Sequence, residues 1–320
     1  MNTLENIGKK LLCLDDYAII GHSMPDGDSI GSILALYLAL RKKGKRVTII
    51  MQDSLSSIYD YLPAIDDFYR PEDIEEIPGH VIFLDCASLE RIGESLLPRF
   101  QVRTNFINID HHQDNDFFGQ DNYVEPLASS TAEIVFRLLK SMEIDIDADI
   151  ANCLYAGIIM DTGSFMNSNT SSTTMRAAAE LLDLGADVNQ ARNNLLESKP
   201  LSEVLLLSLG LKNLEFHQEG QIACMKLPYE EIININALDV HPEGTINYLR
   251  SIKGVKVALL LREVSPGLIK ISFRSKDKVD VAALAASLGG GGHKMAAGAK
   301  KNGSLDEVSR LLFDMIEDVL

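Results

Sequence analysis

The sequence predicts an α/β protein in two parts, an N-terminal domain built on a parallel sheet and a smaller C-terminal α/β domain. Three observations carry this reading. Short apolar runs alternate with longer helical patterns through the first half, as strand–helix–strand units do. Near Asp187 that alternation gives way to a polar stretch, after which strands come in a group and two helices close the chain. At 320 residues the chain is long enough for two ordinary domains.

The elements follow in order. Tyr17-Ala18-Ile19-Ile20 reads as a buried strand. Ser29 to Lys43 reads as a helix, with Ile30, Ile33, Leu34, Tyr37, Leu38 and Leu40 at helical spacing and Gly44 as its stop. Arg46 to Met51 is a second strand, so the unit predicts a right-handed crossover and parallel pairing. Further strands are expected at 81–84 and 104–109, and helices at 131–142, 150–160 and 172–184. Ser130 and Glu133 have capping-box spacing, and Gly185 is a stop. Residues 1–186 form the first expected domain, 187–212 a connector and 213–320 the second domain. Within the second, strands are expected at 221–226, 255–263 and 268–274, and helices at 279–288 and 306–320. Ser304 and Glu307 repeat the capping spacing.

Composition narrows the function. The formal net charge of -16 argues against a protein that coats long duplex nucleic acid, which needs an excess of Lys and Arg. It leaves room for a small phosphorylated substrate, because acidic residues gathered at one cation site reverse their local field when it binds. Cysteines 13, 86, 153 and 224 show no C-x-x-C spacing and read as free thiols of a reducing compartment. The start lacks an apolar leader, and no apolar run approaches the ~20 residues of a membrane span. A cytoplasmic protein with no membrane association is expected.

Four clusters carry candidate chemistry. His22, Asp26 and Asp28 lie within seven residues directly after the first strand, around a turn set by Pro25 and Gly27. Asp85 ends the strand at 81–84. Asp110-His111-His112 ends the strand at 104–109. Asp161-Thr162-Gly163 closes an apolar helix, where an acid is electrostatically unfavourable unless a cation is near. Each has a plain structural reading as a cap or turn. Together they say more, because strands of one parallel sheet bring their carboxyl ends to one edge. Mixed His and carboxylate ligands suit Mn²⁺, Co²⁺, Fe²⁺ or Zn²⁺. Six such ligands with one bridging carboxylate can hold two divalent cations roughly 3.5–4 Å apart, a pair suited to phosphoryl chemistry. Spacing alone leaves open which of His111 and His112 faces a metal.

These motifs resemble the DHH phosphoesterases. The resemblance rests on His22-x-x-x-Asp26-x-Asp28, the strand-terminal Asp85, Asp110-His111-His112 and the later Asp161. It extends into the second half, where Gly289-Gly290-Gly291-Gly292-His293 and the following residues to Gly298 look like the glycine-rich signature of the associated DHHA1 domain. It implies that His22 and Asp26 hold one metal, that Asp28, His111 and Asp161 hold the other, and that Asp85 bridges them. It further implies that His112 faces the substrate phosphate and Asp110 orients the histidines. Arg274 and Ser275 look like the end of the substrate-binding strand. Gly290, Gly291 and Gly292 can present backbone N–H groups to an anion, with His293 as a cationic partner, unless the run is simply a loop between two helices. Arg262 is a further candidate contact, or else an exposed strand-end charge.

The expected cofactor is two divalent cations, Mn²⁺ first. The expected activity is hydrolysis of short RNA oligonucleotides to nucleoside 5′-monophosphates and removal of the 3′-phosphate from adenosine 3′,5′-bisphosphate, as in compact members of the family. The alternatives are hydrolysis of cyclic or linear dinucleotides, and a non-catalytic nucleotide-binding protein. The resemblance also suggests a homodimer.

Overall fold

Apolar runs bounded by turn residues become the strands of two separate sheets. The computed structural model describes residues 2–100, 105–240, 243–276, 279–317 and 320, and the chain divides into two units, Met1–Ser198 and Lys199–Leu320.

The first unit runs α1 (Leu4–Cys13), β1 (Tyr17–Ile20), α2 (Gly27–Lys42), β2 (Val47–Ile50), β3 (Phe68–Tyr69), β4 (His80–Leu84), β5 (Phe106–Asp110), β6 (Asp121–Val124), α3 (Thr131–Ser141), α4 (Ala148–Asp161), α5 (Ser172–Asp183) and α6 (Val188–Ala191). Its sheet has the order β3-β2-β1-β4-β5-β6, with every pair parallel. Strands β1 and β5 are buried along their whole length. That is why they read as unbroken apolar runs, since a parallel sheet is covered on both faces. Ile19, Ile82, Leu84, Ile107 and Ile109 join the core shared with α2, α3 and α4. Ala18, Ile20, Phe83 and Phe106 join a second core on the opposite face. There Phe83 meets Phe100, Phe106 and Phe118 edge-on, with ring centroids 5.6, 5.0 and 5.0 Å away.

Helix α4 approaches its neighbours closely at Gly157. A Cβ there would lie 2.6 Å from Ala132 Cβ and 3.1 Å from Asp28 Oδ1. The missing side chain lets α2, α3 and α4 converge beside Asp28.

The sequence reading missed α1, β3 and β6. The two strands are short and polar or half-exposed, so neither shows an apolar run. Helix α2 starts two residues before the expected Ser29, because Asp26 caps it by accepting from the N–H groups of Asp28 and Ser29. Thr104, expected to begin a strand, lies outside the described residues. Cys13, Cys86, Cys153 and Cys224 are free thiols. Among the described residues no helix is long and apolar enough to cross a membrane.

The second unit runs α7 (Leu201–Lys212), β7 (Leu214–His217), β8 (Ile222–Leu227), α8 (Tyr229–Asn234), α9 (Glu243–Ser251), β9 (Val257–Ser265), β10 (Leu268–Ser275), α10 (Val281–Ser287), β11 (Gly291–His293), β12 (Ala296–Asn302) and α11 (Leu305–Glu317). Residues 318 and 319 of the expected final helix lie outside the described residues. The segment expected as a connector is divided, with α6 in the first unit and α7 in the second. The sheet order is β11-β12-β10-β9-β8-β7, antiparallel except for the parallel pair β8 and β9. Val257, Leu259 and Leu261 of β9 face one core and Ala258 and Leu260 the other. Strand β10 instead alternates, burying Ile269, Ile271, Phe273 and Ser275 and leaving Lys270, Ser272 and Arg274 half-exposed. One face of this part of the sheet is therefore covered and the other is open.

The glycine run is not an open loop. Gly291–His293 pairs with β12, and a Cβ on Gly290 or Gly292 would lie 2.1 Å from Gly298 O or 2.6 Å from Ala296 O. Those two positions are glycine because the hairpin backbone closes there.

Candidate metal centre

Strand β1 ends at Ile20, and the chain turns through Pro25 before α2 begins. This places His22 and Asp26 at the carboxyl edge of the sheet, with Asp28 in the first turn of α2. The His22 Nδ1–H donates to Ser23 O at 2.8 Å. Its Nε2 then carries the free lone pair of the neutral ring. That atom lies 3.4 Å from Asp85 Oδ2 and 3.8 Å from Asp26 Oδ1.

Asp85 follows β4 in a left-handed conformation, φ 56°, which is uncommon for a residue with a side chain. It is buried, and its Oδ1 accepts from Thr131 Oγ1 at 3.0 Å. The same oxygen lies 3.7 Å from His111 Nε2 and 3.7 Å from His112 Nδ1. The two oxygens of one carboxylate thus face imidazoles on opposite sides, His22 beside Oδ2 and the histidine pair beside Oδ1.

His111 Nε2 also lies 3.8 Å from Asp28 Oδ2 and 3.8 Å from Asp161 Oδ2. Asp28 is held by the N-terminus of α3, accepting from Thr131 N at 2.7 Å and Ala132 N at 2.8 Å. Those N–H groups and the helix dipole favour an anion there. Asp161 ends α4, and Asn169 Nδ2 donates to its Oδ2 at 3.0 Å.

The histidine pair divides its contacts. His112 Nδ1–H donates to Asp110 Oδ1 at 2.8 Å, and Asp110 Oδ2 accepts from Asn115 Nδ2 at 2.6 Å. His111 faces three carboxylates at longer distance. The geometry therefore separates two residues that spacing could not.

Electrostatics point the same way. Burial pushes the Asp28 carboxyl well above its usual range, and the charges of Asp85, Asp161 and Asp26 push it further. Burial lifts Asp161 to about 6, opposed by His111 and reinforced by Asp85 and Asp26. Burial alone would lower the His22 pKa, yet Asp26 and Asp85 outweigh it and push it up to about 10. Asp110 is held low despite burial, by His112 and Asn115. Burial works against charge on His112 too, and Asp110 outweighs it and raises its pKa.

These residues fit divalent cations. Ligand bonds of about 2.1 Å put neighbouring ligand atoms roughly 3–3.5 Å apart. The contacts of 3.4–3.8 Å around Asp85 and His111 are close to that spacing and too long for hydrogen bonds. Two compact groups of ligand-type atoms, His22–Asp26–Asp85 and Asp85–His111–His112, share Asp85, and with His112 Nδ1 engaged by Asp110 it is His111 of the second group that is open to an ion. A buried excess of carboxylate charge is costly without a cation to offset it. Thr131, Asn115 and Asn169 complete the surroundings and were missed, since nothing in sequence links a Thr at 131 to an Asp at 85.

The second-unit candidates separate into two kinds. Arg274 pairs with Ala296 and Ala296 with His293, so the Arg274 and His293 side chains share a row on one sheet face. Arg262 corrects the sequence reading. It is buried, neither an exposed charge nor an open contact, and it donates to Val240 O at 2.6 Å, Ala237 O at 2.9 Å and Leu238 O. Ser275 is buried as well, its hydroxyl donating to Val279 O at 2.8 Å. Both hold the fold locally.

The family comparisons cover both units. The model of the DHH family, N-terminal domain, matches residues 16–158, and that of the DHHA1 domain matches residues 239–320. A bifunctional oligoribonuclease and PAP phosphatase NrnA of Thermus thermophilus is 31% identical over 305 residues, 94% of this chain and 89% of its own. The crystal structure of an exopolyphosphatase-related protein from Bacteroides fragilis matches with a TM-score of 0.90 at 29% identity, covering 98% of this chain and 96% of that one. RecJ of Thermus thermophilus, solved with Mn²⁺, shares the fold at a TM-score of 0.54 and 15% identity, over 98% of this chain and 53% of its own. With one family domain in each unit and a relative that spans both, the chain belongs to the DHH/DHHA1 family and is a phosphoester hydrolase.

Proposed function

We propose that the chain hydrolyses short oligoribonucleotides to nucleoside 5′-monophosphates and removes the 3′-phosphate of adenosine 3′,5′-bisphosphate. The observation that carries the chemistry is Asp85, whose two oxygens face separate groups of ligand atoms. The substrate choice is supported by the relative of that activity, which matches nearly the whole chain.

In this reading His22 and Asp26 hold one cation, Asp28, His111 and Asp161 hold the other, and Asp85 binds both. Two divalent ions, Mn²⁺ first, would supply an activated water and charge neutralisation for in-line attack at phosphorus. The protein's own residues do the rest. Asp110 accepts from the His112 Nδ1–H and favours the imidazolium form, so the second proton, at Nε2, is the one His112 gives to the leaving oxygen. Asn115 keeps Asp110 from turning away. Arg274 and His293, in one row, bind a second phosphate or a base, and the backbone of Gly290 to Gly292 lets that group approach.

The test is hydrolysis of a 3-mer RNA and of adenosine 3′,5′-bisphosphate, each with Mn²⁺ and with chelator. Metal-dependent turnover of both is expected. Turnover of neither, with rapid hydrolysis of a cyclic or linear dinucleotide, would overturn the substrate assignment.

A further inference from the structure

We propose that Glu133 is a positioning residue for the metal centre. Its buried carboxylate fixes the segments that orient Asp28, Asp85 and Asp161, and so sets the affinity of the ion those residues share with His111. This rests on the two-cation reading and adds a residue that none of the motifs contains.

Glu133 stands in the first turn of α3, three residues after the cap Ser130, whose hydroxyl accepts from Glu133 N at 3.1 Å. A capping box would turn the Glu133 carboxylate back to the N–H of Ser130. It turns elsewhere. Its Oε2 accepts from Ser129 N at 3.2 Å and from Ser129 Oγ at 2.6 Å. The same oxygen accepts from Thr174 Oγ1, in the first turn of α5, at 2.8 Å. Glu133, Ser129 and Thr174 are all buried, and among the described residues Glu133 makes no ion pair. A buried carboxylate without a cation is costly, and here three donors on one oxygen offset that cost. Glutamine would bring two N–H donors to a place already supplied with donors, whereas a carboxylate only accepts.

Two routes lead from these bonds to the ligands. The first runs along α3. Ser129 is fixed one residue before the cap, and the turn that follows supplies Thr131 N and Ala132 N to Asp28 and Thr131 Oγ1 to Asp85. The second runs through Asn169. Its Nδ2 donates to Ser129 O at 2.8 Å, to Asp161 O at 3.2 Å and to Asp161 Oδ2 at 3.0 Å. Two residues later the chain enters α5 at Ser171, whose N–H donates to Thr174 Oγ1 at 3.2 Å. Glu133 therefore grips both supports of Asn169, the residue whose carbonyl it binds and the start of the helix that follows it. His22 and Asp26 are held from the β1–α2 loop instead, by Ser23 O and by the N–H groups of Asp28 and Ser29. The support is thus directed at one ion of the pair, with Asp85 common to both.

The test uses the full chain, stripped with chelator and titrated with Mn²⁺, comparing wild type with Glu133→Gln, Thr174→Val and Thr174→Ser. Bound Mn²⁺ per chain, the electron paramagnetic resonance spectrum and turnover of a 3-mer RNA are read at each Mn²⁺ concentration. Glu133→Gln should weaken one ion about 10–100-fold, the scale of losing an outer support of metal ligands, and leave the other near its wild-type affinity. At limiting Mn²⁺ its spectrum should show a single uncoupled ion, and the coupled pair should return at high Mn²⁺. There kcat should approach the wild-type value, because Glu133 touches no reacting atom. Thr174→Val should weaken the same ion, and Thr174→Ser, which keeps the hydroxyl, should restore it. Wild-type affinity for both ions in Glu133→Gln, equal weakening of both, or a Thr174→Ser as weak as Thr174→Val would each overturn the assignment. If Glu133→Gln does not fold, the two Thr174 variants decide. A wild type that binds a single ion would contradict the two-cation reading, and Glu133 is then decided by whether that ion weakens in Glu133→Gln.

Discussion

The candidate metal centre of the first unit and the Arg274–His293 row of the second place polar groups by different means. In the first, the candidate ligands come from four separate segments, and half of them are buried. The α3 N-terminus holds Asp28, Thr131 holds Asp85, Asn169 holds Asp161 and Asp110 holds His112. In the second, Arg274 and His293 share the open face of the sheet, and strand register puts them in one row. A site that must hold several like charges together needs supports on every side.

The largest expected effect breaks the first region. Removing divalent cations with chelator should abolish hydrolysis of a 3-mer RNA, and Mn²⁺ should restore it. Chelator should also lower the Tm, because the buried carboxyls of Asp28 and Asp85 then lose the cations that offset them. Full activity in chelator would remove the metal account.

Next comes His112. His112→Asn should lower kcat by about 10²–10⁴-fold, the range for loss of a general acid. Bound Mn²⁺ should remain, since His111 is the ring aimed at the carboxylates. Loss of metal in this variant, measured by elemental analysis, would exchange the roles of the two histidines.

The second region should respond differently. Arg274→Ala is expected to raise KM for the 3-mer by about tenfold or more while changing kcat little, because it removes one charge-assisted contact remote from the reacting bond. Steady-state kinetics checks this, and a fall in kcat alone would contradict it.

The smallest expected effect sharpens the contrast within that unit. Arg262→Ala should leave KM near its wild-type value and cost about 1–3 kcal/mol of stability, since the carbonyls of Val240 and Ala237 lose their buried donor. Urea unfolding reads it. A selective KM effect with unchanged stability would return Arg262 to the substrate site.

Much of the first region was legible in the sequence. His22, Asp85 and Asp110-His111-His112 follow apolar runs, and parallel strands bring such ends to one edge. Histidine is rare in this chain, so two adjacent ones stand out. What stayed hidden depends on packing. Thr131 could be read as a helix start, but not as the donor to Asp85. Spacing could not choose between His111 and His112, because that choice is made by where each ring points. Strands β3 and β6 escaped notice because edge strands carry too few apolar residues to show a period. In the second region the reading failed where burial decides. Arg262 and Arg274 both end or interrupt apolar strands, yet one faces three carbonyls indoors and the other the open sheet face. The glycine run was visible, but the reason for it, closure of the β11–β12 hairpin, was not.

The account turns on one carboxylate holding two cations. The most direct measurement is bound Mn²⁺ per chain together with electron paramagnetic resonance, for wild type and Asp85→Asn. Two Mn²⁺ per wild-type chain with the exchange-coupled spectrum of ions about 3.5–4 Å apart, and at most one uncoupled ion in Asp85→Asn, is the predicted result. Two coupled ions retained in Asp85→Asn, or a single ion in wild type, would contradict it.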